Sequence, residues 1–235
     1  STLYTTEPDF AENCHAFTHL IGDEAYDAFA AGKDIKLTSQ IAYCSYGFFH
    51  GFVESMMTRE GALERAKEFC SYVDRQLSGE LYTLGPCFHG IGHGVTDASD
   101  PRARGNEKAL IAEALSLCKR SGGTEYQIKM CGTGVFNSLA IMYLEPDRAG
   151  LSLDRTDPYA FCRTVEDFLF QEACYEDFKI LPMAIEDNDF AKAGRYVEAI
   201  AEDHLASAAM DTVSSYAVYF MLRDNQLTDD AIMAC

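Results

Sequence analysis

Apolar residues recur along most of the chain at spacings of three and four, which is the period of an amphipathic α-helix. The clearest case is segment 106–120, whose Leu110, Ala114 and Cys118 fall on one face. No run shows the strict alternation that is typical of a β-strand. The pattern predicts an all-α chain, with helical segments at 8–31, 38–58, 60–77, 87–97, 106–120, 125–145, 157–170, 189–205 and 207–222.

A short motif recurs in these segments at a nearly fixed period. Its copies begin at cysteines that stand 43, 44 and 43 residues apart, and glycine or serine follows three and seven residues after the cysteine in three copies. Such a period is typical of proteins built from helical repeats. We therefore predict about five αα-hairpins, stacked as a solenoid or partial toroid in a single domain over residues 1–235. The copies are 44–51, 87–94, 131–138 and an eroded one at 174–177.

The central copy carries two glycines on one helical stripe. Gly90 and Gly94 lie beside a stripe that carries His89 and His93. Each glycine inside a helix costs about 1 kcal/mol relative to alanine, so intrinsic propensity does not hold this segment helical. The bare stripe predicts close approach of a neighbouring backbone or of a ligand.

The nine cysteines include no Cys-x-x-Cys pair, which leaves neither a zinc ribbon nor a haem-attachment motif. Eight of them instead pair between neighbouring helical segments, and this pairing predicts a disulfide within each hairpin. Disulfides indicate an oxidising compartment: secreted, periplasmic or at the cell surface. The alternative is a cytosolic repeat protein with reduced, buried cysteines. The predicted pairs are Cys70–Cys87, Cys118–Cys131, Cys162–Cys174 and, with a wider separation, Cys14–Cys44.

The ninth cysteine, Cys235, ends a segment that resembles the first helix of another hairpin, without a second helix to follow. We expect the natural chain to continue past it, and we expect the N-terminus at Ser1 to be a processed one. A free thiol or an intermolecular disulfide is the other interpretation of an odd cysteine.

The net charge of -18 limits the classes of partner. Nucleic acid and anionic membrane surfaces both attract basic patches, so neither is the expected main partner. No apolar run approaches the roughly 20 residues of a membrane span. A small molecule, a protein or a peptide stays open as a ligand, and the oligomeric state stays open as well.

Five of the six histidines lie in the first 93 residues, at helical spacing. In stacked hairpins, equivalent helices lie side by side, so we expect these histidines to face a common surface. Each group is followed one turn later by a carboxylate. The histidines are His15, His19, His50, His89 and His93, and the carboxylates are Asp23, Glu54 and Asp97.

Two histidines spaced i, i+4 lie on one face of a helix and can together provide two ligands to one metal ion. Imidazole and carboxylate ligands together suit copper, iron or zinc. We predict a metal centre in which His50, His89 and His93 are joined by His15 or His19. Glu54 and Asp97 are candidate general bases, or partners that orient histidine ligands. The alternatives are a metal-free polar active site and histidines that only form hydrogen bonds between repeats.

The sequence thus predicts an extracytoplasmic metal-binding protein. Whether it is also an oxidative or hydrolytic metalloenzyme stays open. A second hypothesis is a disulfide-stapled helical scaffold that binds a protein, peptide or glycan, with histidine and glycine serving repeat packing. A third is a histidine-based enzyme without metal.

Overall fold

The computed structural model describes residues 8–77, 82–97, 106–121, 123–145 and 151–223, and these residues form helices and connections with no strand. The all-α prediction is confirmed, while the repeat and solenoid arrangement stays a prediction. Short 3₁₀ helices lie at Ser39–Ala42 and Cys162–Thr164. The α-helices are α1 (Pro8–Ala30), α2 (Gly47–Glu60), α3 (Leu63–Leu77), α4 (Leu84–Asp97), α5 (Glu107–Ser121), α6 (Glu125–Leu144), α7 (Phe168–Asp177), α8 (Ile180–Ile185), α9 (Phe190–Glu198) and α10 (Asp203–Arg223).

The chain divides into two compact units, Ser1–Leu139 and Ala140–Cys235. Helices α1 to α5 and most of α6 belong to the first unit. The end of α6 and helices α7 to α10 belong to the second, in which α10 packs against α7 and α9. A single domain over the whole chain stays a prediction.

In the first unit, α2 packs against α1 on one side and α4 on the other, and glycine sets both contacts. A β-carbon placed on Gly51 of α2 would lie 1.9 Å from the carbonyl oxygen of His19 in α1. One placed on Gly90 of α4 would lie 3.0 Å from the carbonyl oxygen of Phe49 in α2. Only glycine lets the α1 and α2 backbones approach this closely, and a larger residue at position 51 would push them apart.

Glycines likewise set a close contact between α4 and α6. A β-carbon on Gly134 of α6 would lie 1.9 Å from the carbonyl oxygen of His89, and one on Gly92 would lie 2.1 Å from that of Cys131. On the other side of α4, a β-carbon on Gly94 would lie 2.6 Å from the β-carbon of Met57. The tight contact predicted for the glycine stripe is confirmed, and the neighbours of the stripe are other helices.

All four predicted disulfides are confirmed. Two of them tie α3 to α4 and α5 to α6, one ties α1 to the turn before α2, and one lies in the second unit. In the chain-entropy account, a disulfide that closes a loop of about 15 residues stabilises a protein by about 3 kcal/mol. Cys235 lies outside the described residues. The disulfides are Cys70–Cys87, Cys118–Cys131, Cys14–Cys44 and Cys162–Cys174.

The first motif copy departs from the predicted helix over 38–58, because α2 begins only at Gly47. Cys44, Ser45 and Tyr46 have φ angles of 57°, 55° and 61°, so three consecutive residues adopt the left-handed conformation. The chain turns there after the 3₁₀ helix, and Cys44 lies in the turn. Its counterparts Cys87 and Cys131 lie inside helices α4 and α6.

The helix predicted over 157–170 is wrong. Turns and a 3₁₀ helix occupy most of this stretch, and α7 begins at Phe168. The Asp157-Pro158 pair, taken as a helix start, is also a common turn signal. The effective cap is Asp167, whose carboxylate accepts a hydrogen bond from the Leu169 amide at 3.1 Å.

We expect the substitution Gly51→Ala to destabilise the protein by about 1–3 kcal/mol, because the added methyl group collides with the α1 backbone. Gly194→Ala is the matched control, since a β-carbon at this position inside α9 meets nothing within 4 Å. Helix propensity should make that control neutral or more stable, by up to about 1 kcal/mol. Urea unfolding of the two variants measures the difference, and equal midpoints would contradict a close helix contact at Gly51.

Candidate metal centre

The five predicted histidines lie together in the first unit, and we call them the histidine cluster. Helix α1 contributes His15 and His19, α2 contributes His50, and α4 contributes His89 and His93. The ring centroid of His50 lies 4.9 Å from those of His15, His89 and His93, and 5.1 Å from that of His19. The sequence-based expectation of a common surface therefore agrees with the geometry, and His50 is the centre of the cluster.

Two groups of three histidines have the spacing of metal ligands. We call His15, His19 and His50 the outer triad, and His50, His89 and His93 the inner triad. Within each triad, one nitrogen per ring can be chosen so that all three nitrogens lie within 4.8 Å of one another. His50 belongs to both triads.

The surroundings of neutral His89 favour one tautomer. The hydroxyl of Thr133 donates its hydrogen to the Met130 carbonyl at 2.7 Å. With that hydrogen used, the Thr133 oxygen accepts at its other contact, from Nδ1–H of His89 at 2.8 Å, and this is the tautomer that the surroundings favour. This leaves Nε2 of His89 with a lone pair, and that atom lies 3.2 Å from Nε2 of His93.

Nδ1 also faces an oxygen atom in His93, His15 and His19. Nδ1 of His93 lies 2.8 Å from the Ser138 hydroxyl, and Nδ1 of His15 donates to the Cys44 carbonyl at 2.8 Å. Nδ1 of His19 lies 3.7 Å from a carboxylate oxygen of Glu54. Such outer oxygens orient histidine ligands in metal proteins, and they leave Nε2 as the available ligand atom.

The short distances between ring nitrogens suit a shared cation. Nitrogens bound at about 2.0–2.1 Å to a tetrahedral ion lie about 3.3 Å apart. The His89–His93 and His19–His50 nitrogen pairs are both 3.2 Å apart. Without an ion, Nε2–H of His93 donates to Nε2 of His89, and the Ser138 hydroxyl donates to Nδ1 of His93. With an ion, Ser138 accepts from Nδ1–H, and both Nε2 atoms present lone pairs.

Burial keeps three rings of the cluster, those of His19, His50 and His93, in the neutral form that binds metals. Burial, followed by the positive charge of neighbouring imidazoles, lowers the pKa of His50 well below its ordinary 6.5. The same causes lower the pKa of His93 to about 3 and that of His19 to about 4. At neutral pH these rings therefore present lone pairs and need no deprotonation before they bind an ion.

The predicted carboxylates take different positions, and neither triad includes one of them. Glu54 lies beside His19, where a carboxylate orients the ring. Asp97 is exposed at the end of α4. Asp23 accepts hydrogen bonds from Ser55 and from Arg59, the latter at 2.6 Å. A catalytic role for Glu54 or Asp97 stays a prediction.

Three oxygens that orient the cluster were not predicted from the sequence: those of the Ser138 hydroxyl, the Thr133 hydroxyl and the Cys44 carbonyl. The signal was present in the repeat, because His89 and Thr133 both stand two residues after the cysteine of their copies. His89 and Thr133 thus hold the same position in the second and third copies, and their side chains are in contact.

Comparison with known proteins leaves the geometry as the basis for any assignment. The chain matches no protein-family model, no curated protein and no solved structure. In the part of the chain that the structure describes, none of the helices combines the length and the apolar character that crossing a bilayer requires.

We expect the metal-free protein to lose stability as the pH falls from about 7 to about 4. In this window the unfolded chain protonates His19 and His93 near their ordinary pKa of 6.5, while the folded chain does not until about pH 4 and about pH 3. The unfolded state then binds more protons, so the free energy of unfolding falls with the pH, by about 1.4 kcal/mol per unit for each such histidine.

The variants His93→Gln and His204→Gln separate this effect from the titration of the many carboxylates. His204 lies in α10 of the second unit, against Phe168, and is not a member of the cluster. Thermal melts should show a shallower pH dependence for His93→Gln than for His204→Gln. Identical slopes in the two variants would contradict a buried neutral His93.

Proposed function

We propose that this chain is an extracytoplasmic metal-binding protein whose histidine cluster holds copper(II) or zinc. The observation that carries the proposal is the orientation of the rings. Nδ1 of His15, His89 and His93 makes a 2.8 Å hydrogen bond to an oxygen, and Nδ1 of His19 lies 3.7 Å from the Glu54 carboxylate, so that Nε2 is left for an ion. A histidine used only for packing needs one such hydrogen bond, and it does not need to bring its second nitrogen to 3.2 Å from another histidine.

The donor atoms favour copper(II) and zinc among the three metals that the sequence suggested. Every ligand atom of the two triads is an imidazole nitrogen. Iron(II) sites of the oxygenase type combine two histidines with a carboxylate, which neither triad provides. The eight described cysteines are in disulfides, so none of these eight offers a thiolate to the ion. For nitrogen ligands, divalent copper binds more tightly than zinc or iron.

The exposure of the two triads differs, and this difference bears on catalysis. His50 and His93 are 6% and 5% exposed, whereas the His19 side chain is 27% exposed. Three histidines around an ion leave a fourth position open, as in catalytic rather than structural zinc sites. An ion in the outer triad would offer that position to water or a small molecule. Oxidative or hydrolytic chemistry is the class of activity this site could support.

The four disulfides support placement outside the cytoplasm, in a secreted, periplasmic or cell-surface protein. In such compartments copper is divalent and oxidised, the form that imidazole ligands suit. The disulfides and a copper(II) ion are therefore both expected in an oxidising compartment.

A second candidate function is the disulfide-stapled scaffold that binds a protein, peptide or glycan. The observation that favours it is a group of exposed apolar side chains on α1: Phe17, Leu20 and Ile21, at 40%, 62% and 56%. Such a group can serve as part of a docking surface. On this alternative, the histidine cluster carries no ion.

Metal analysis of protein purified without an affinity tag separates the two functions. We expect copper or zinc at one ion per chain or more, and a thermal midpoint that falls when a strong chelator is added. Bound metal at 100 times its dissociation constant stabilises the folded state by about 2.7 kcal/mol. A metal-free protein that neither binds copper(II) or zinc nor changes its midpoint when they are added would overturn the metal function and leave the scaffold.

We expect Thr133→Val to weaken metal binding about 10- to 100-fold, because it removes the oxygen that accepts from Nδ1–H of His89. Thr212→Val is a matched control: its hydroxyl also donates to a carbonyl three residues earlier, at 3.0 Å, but in the second unit. Competition with a chromophoric chelator measures both affinities. If both variants bind as tightly as the wild type, Thr133 does not orient a ligand.

A further inference from the structure

The two triads share one residue, and the sharing limits how they can be filled. One imidazole nitrogen has one lone pair and binds one ion. If His50 used a single nitrogen, an ion in either triad would leave the other with two histidines. Both triads can be complete at the same time only if His50 supplies one nitrogen to each.

His50 is the histidine whose surroundings fit that role. The other four place Nδ1 against an oxygen and keep one nitrogen for an ion. For His50, the hydrogen-bond contact found within the described residues is with another imidazole, from Nδ1 to Nε2 of His19 at 3.2 Å. Its ring also lies 4.9 Å from the rings of both His89 and His93. It therefore stands between the His15–His19 pair and the His89–His93 pair, and no oxygen of the described residues is hydrogen-bonded to its ring.

We propose that the cluster is a two-metal centre in which the imidazole of His50 bridges the ions, one in the outer triad and one in the inner triad. This inference rests on the proposed metal-binding function and deepens it. The ring of neutral His50 has one free lone pair and one N–H. The second ion takes the place of that hydrogen, which leaves to solvent as a proton, and the bridging ring becomes an imidazolate.

The two positions differ in access. The inner ion would lie among His50 and His93, which are buried, and His89, which Thr133 holds. The outer ion would lie beside the partly exposed His19. Because the outer ligands are nearer to solvent, a chelator should remove the outer ion first. The inner ion should then remain as the more slowly exchanging one.

Metal stoichiometry tests the bridge. The tag-free protein is stripped with a chelator, reloaded with copper(II) chloride, passed through a glycine buffer to remove weakly held ions, and analysed for copper per chain. We expect two ions in the wild type and in His204→Ala, the control histidine outside the cluster. His15→Ala and His89→Ala should each hold one, because each retains one complete triad. His50→Ala should hold none through the same wash.

The outcomes separate this inference from the proposed function. Two ions in the wild type, falling to one in both single-triad variants, support the two-metal centre. One ion in the wild type overturns the two-metal centre and keeps the metal function. No ion in the wild type overturns the proposed function itself. If His50→Ala folds and still holds two ions, the bridge is wrong.

Electron paramagnetic resonance provides a readout that does not depend on the His50 variant. An imidazolate bridge couples the unpaired electrons of two copper(II) ions antiparallel, so the integrated signal at low temperature falls below one spin per copper. His89→Ala, with a single ion, should give one full spin per copper. A wild type that binds two copper ions with full spin intensity for each would overturn the bridge while keeping two sites.

Discussion

The candidate site depends on how closely the helices of the first unit approach one another. Helices with ordinary side chains between them pack about 8–10 Å apart. Here Gly51 faces the His19 carbonyl, Gly134 faces that of His89, and Gly90 faces that of Phe49, with no room for a β-carbon at the first two. The histidines next to these glycines then reach across to the neighbouring helix. The glycines and the histidines of the motif therefore act together. The glycines set the distance between the helix backbones, and the histidines contact the neighbouring helix across that distance.

This arrangement has a cost that the rest of the unit must offset. Several imidazoles are held where solvent cannot stabilise a charge on them, and the pKa of each buried member is lowered accordingly. The interior glycines are also poor helix formers. The disulfides that tie α3 to α4 and α5 to α6 restrict the unfolded chain in compensation. A bound cation would add to stability between His89 and His93, whose Nε2 atoms lie 3.2 Å apart.

The disulfide pairs and the grouping of the histidines could be predicted from the sequence, because the motif recurs and residues at the same position in different copies can be compared. The period identified the disulfide partners and placed His50 level with His93, six residues after their cysteines. Propensity did not reveal the left-handed turn at Cys44, since no glycine or asparagine marks it. Asp157 and Asp167 are both ordinary helix N-cap residues, and propensity alone does not choose between them. The sequence therefore suggested a helix start at Asp157, whereas tertiary packing selects the cap at Asp167. The central position of His50 depends on three helices at once, and periodicity within one helix does not show it.

The turn before α2 links the oxidation state of the chain to the shape of the site. Cys44 is bonded to Cys14, the neighbour of His15 in sequence, and the Cys44 carbonyl accepts from the His15 ring. One residue thus holds α1 covalently and aims a ligand of the outer triad. In a reduced chain, the turn would lose its attachment and His15 its fixed partner. Export to an oxidising space would then complete the outer half of the site in the same event that staples the fold, and a chain retained in the cytoplasm would carry that half unfinished.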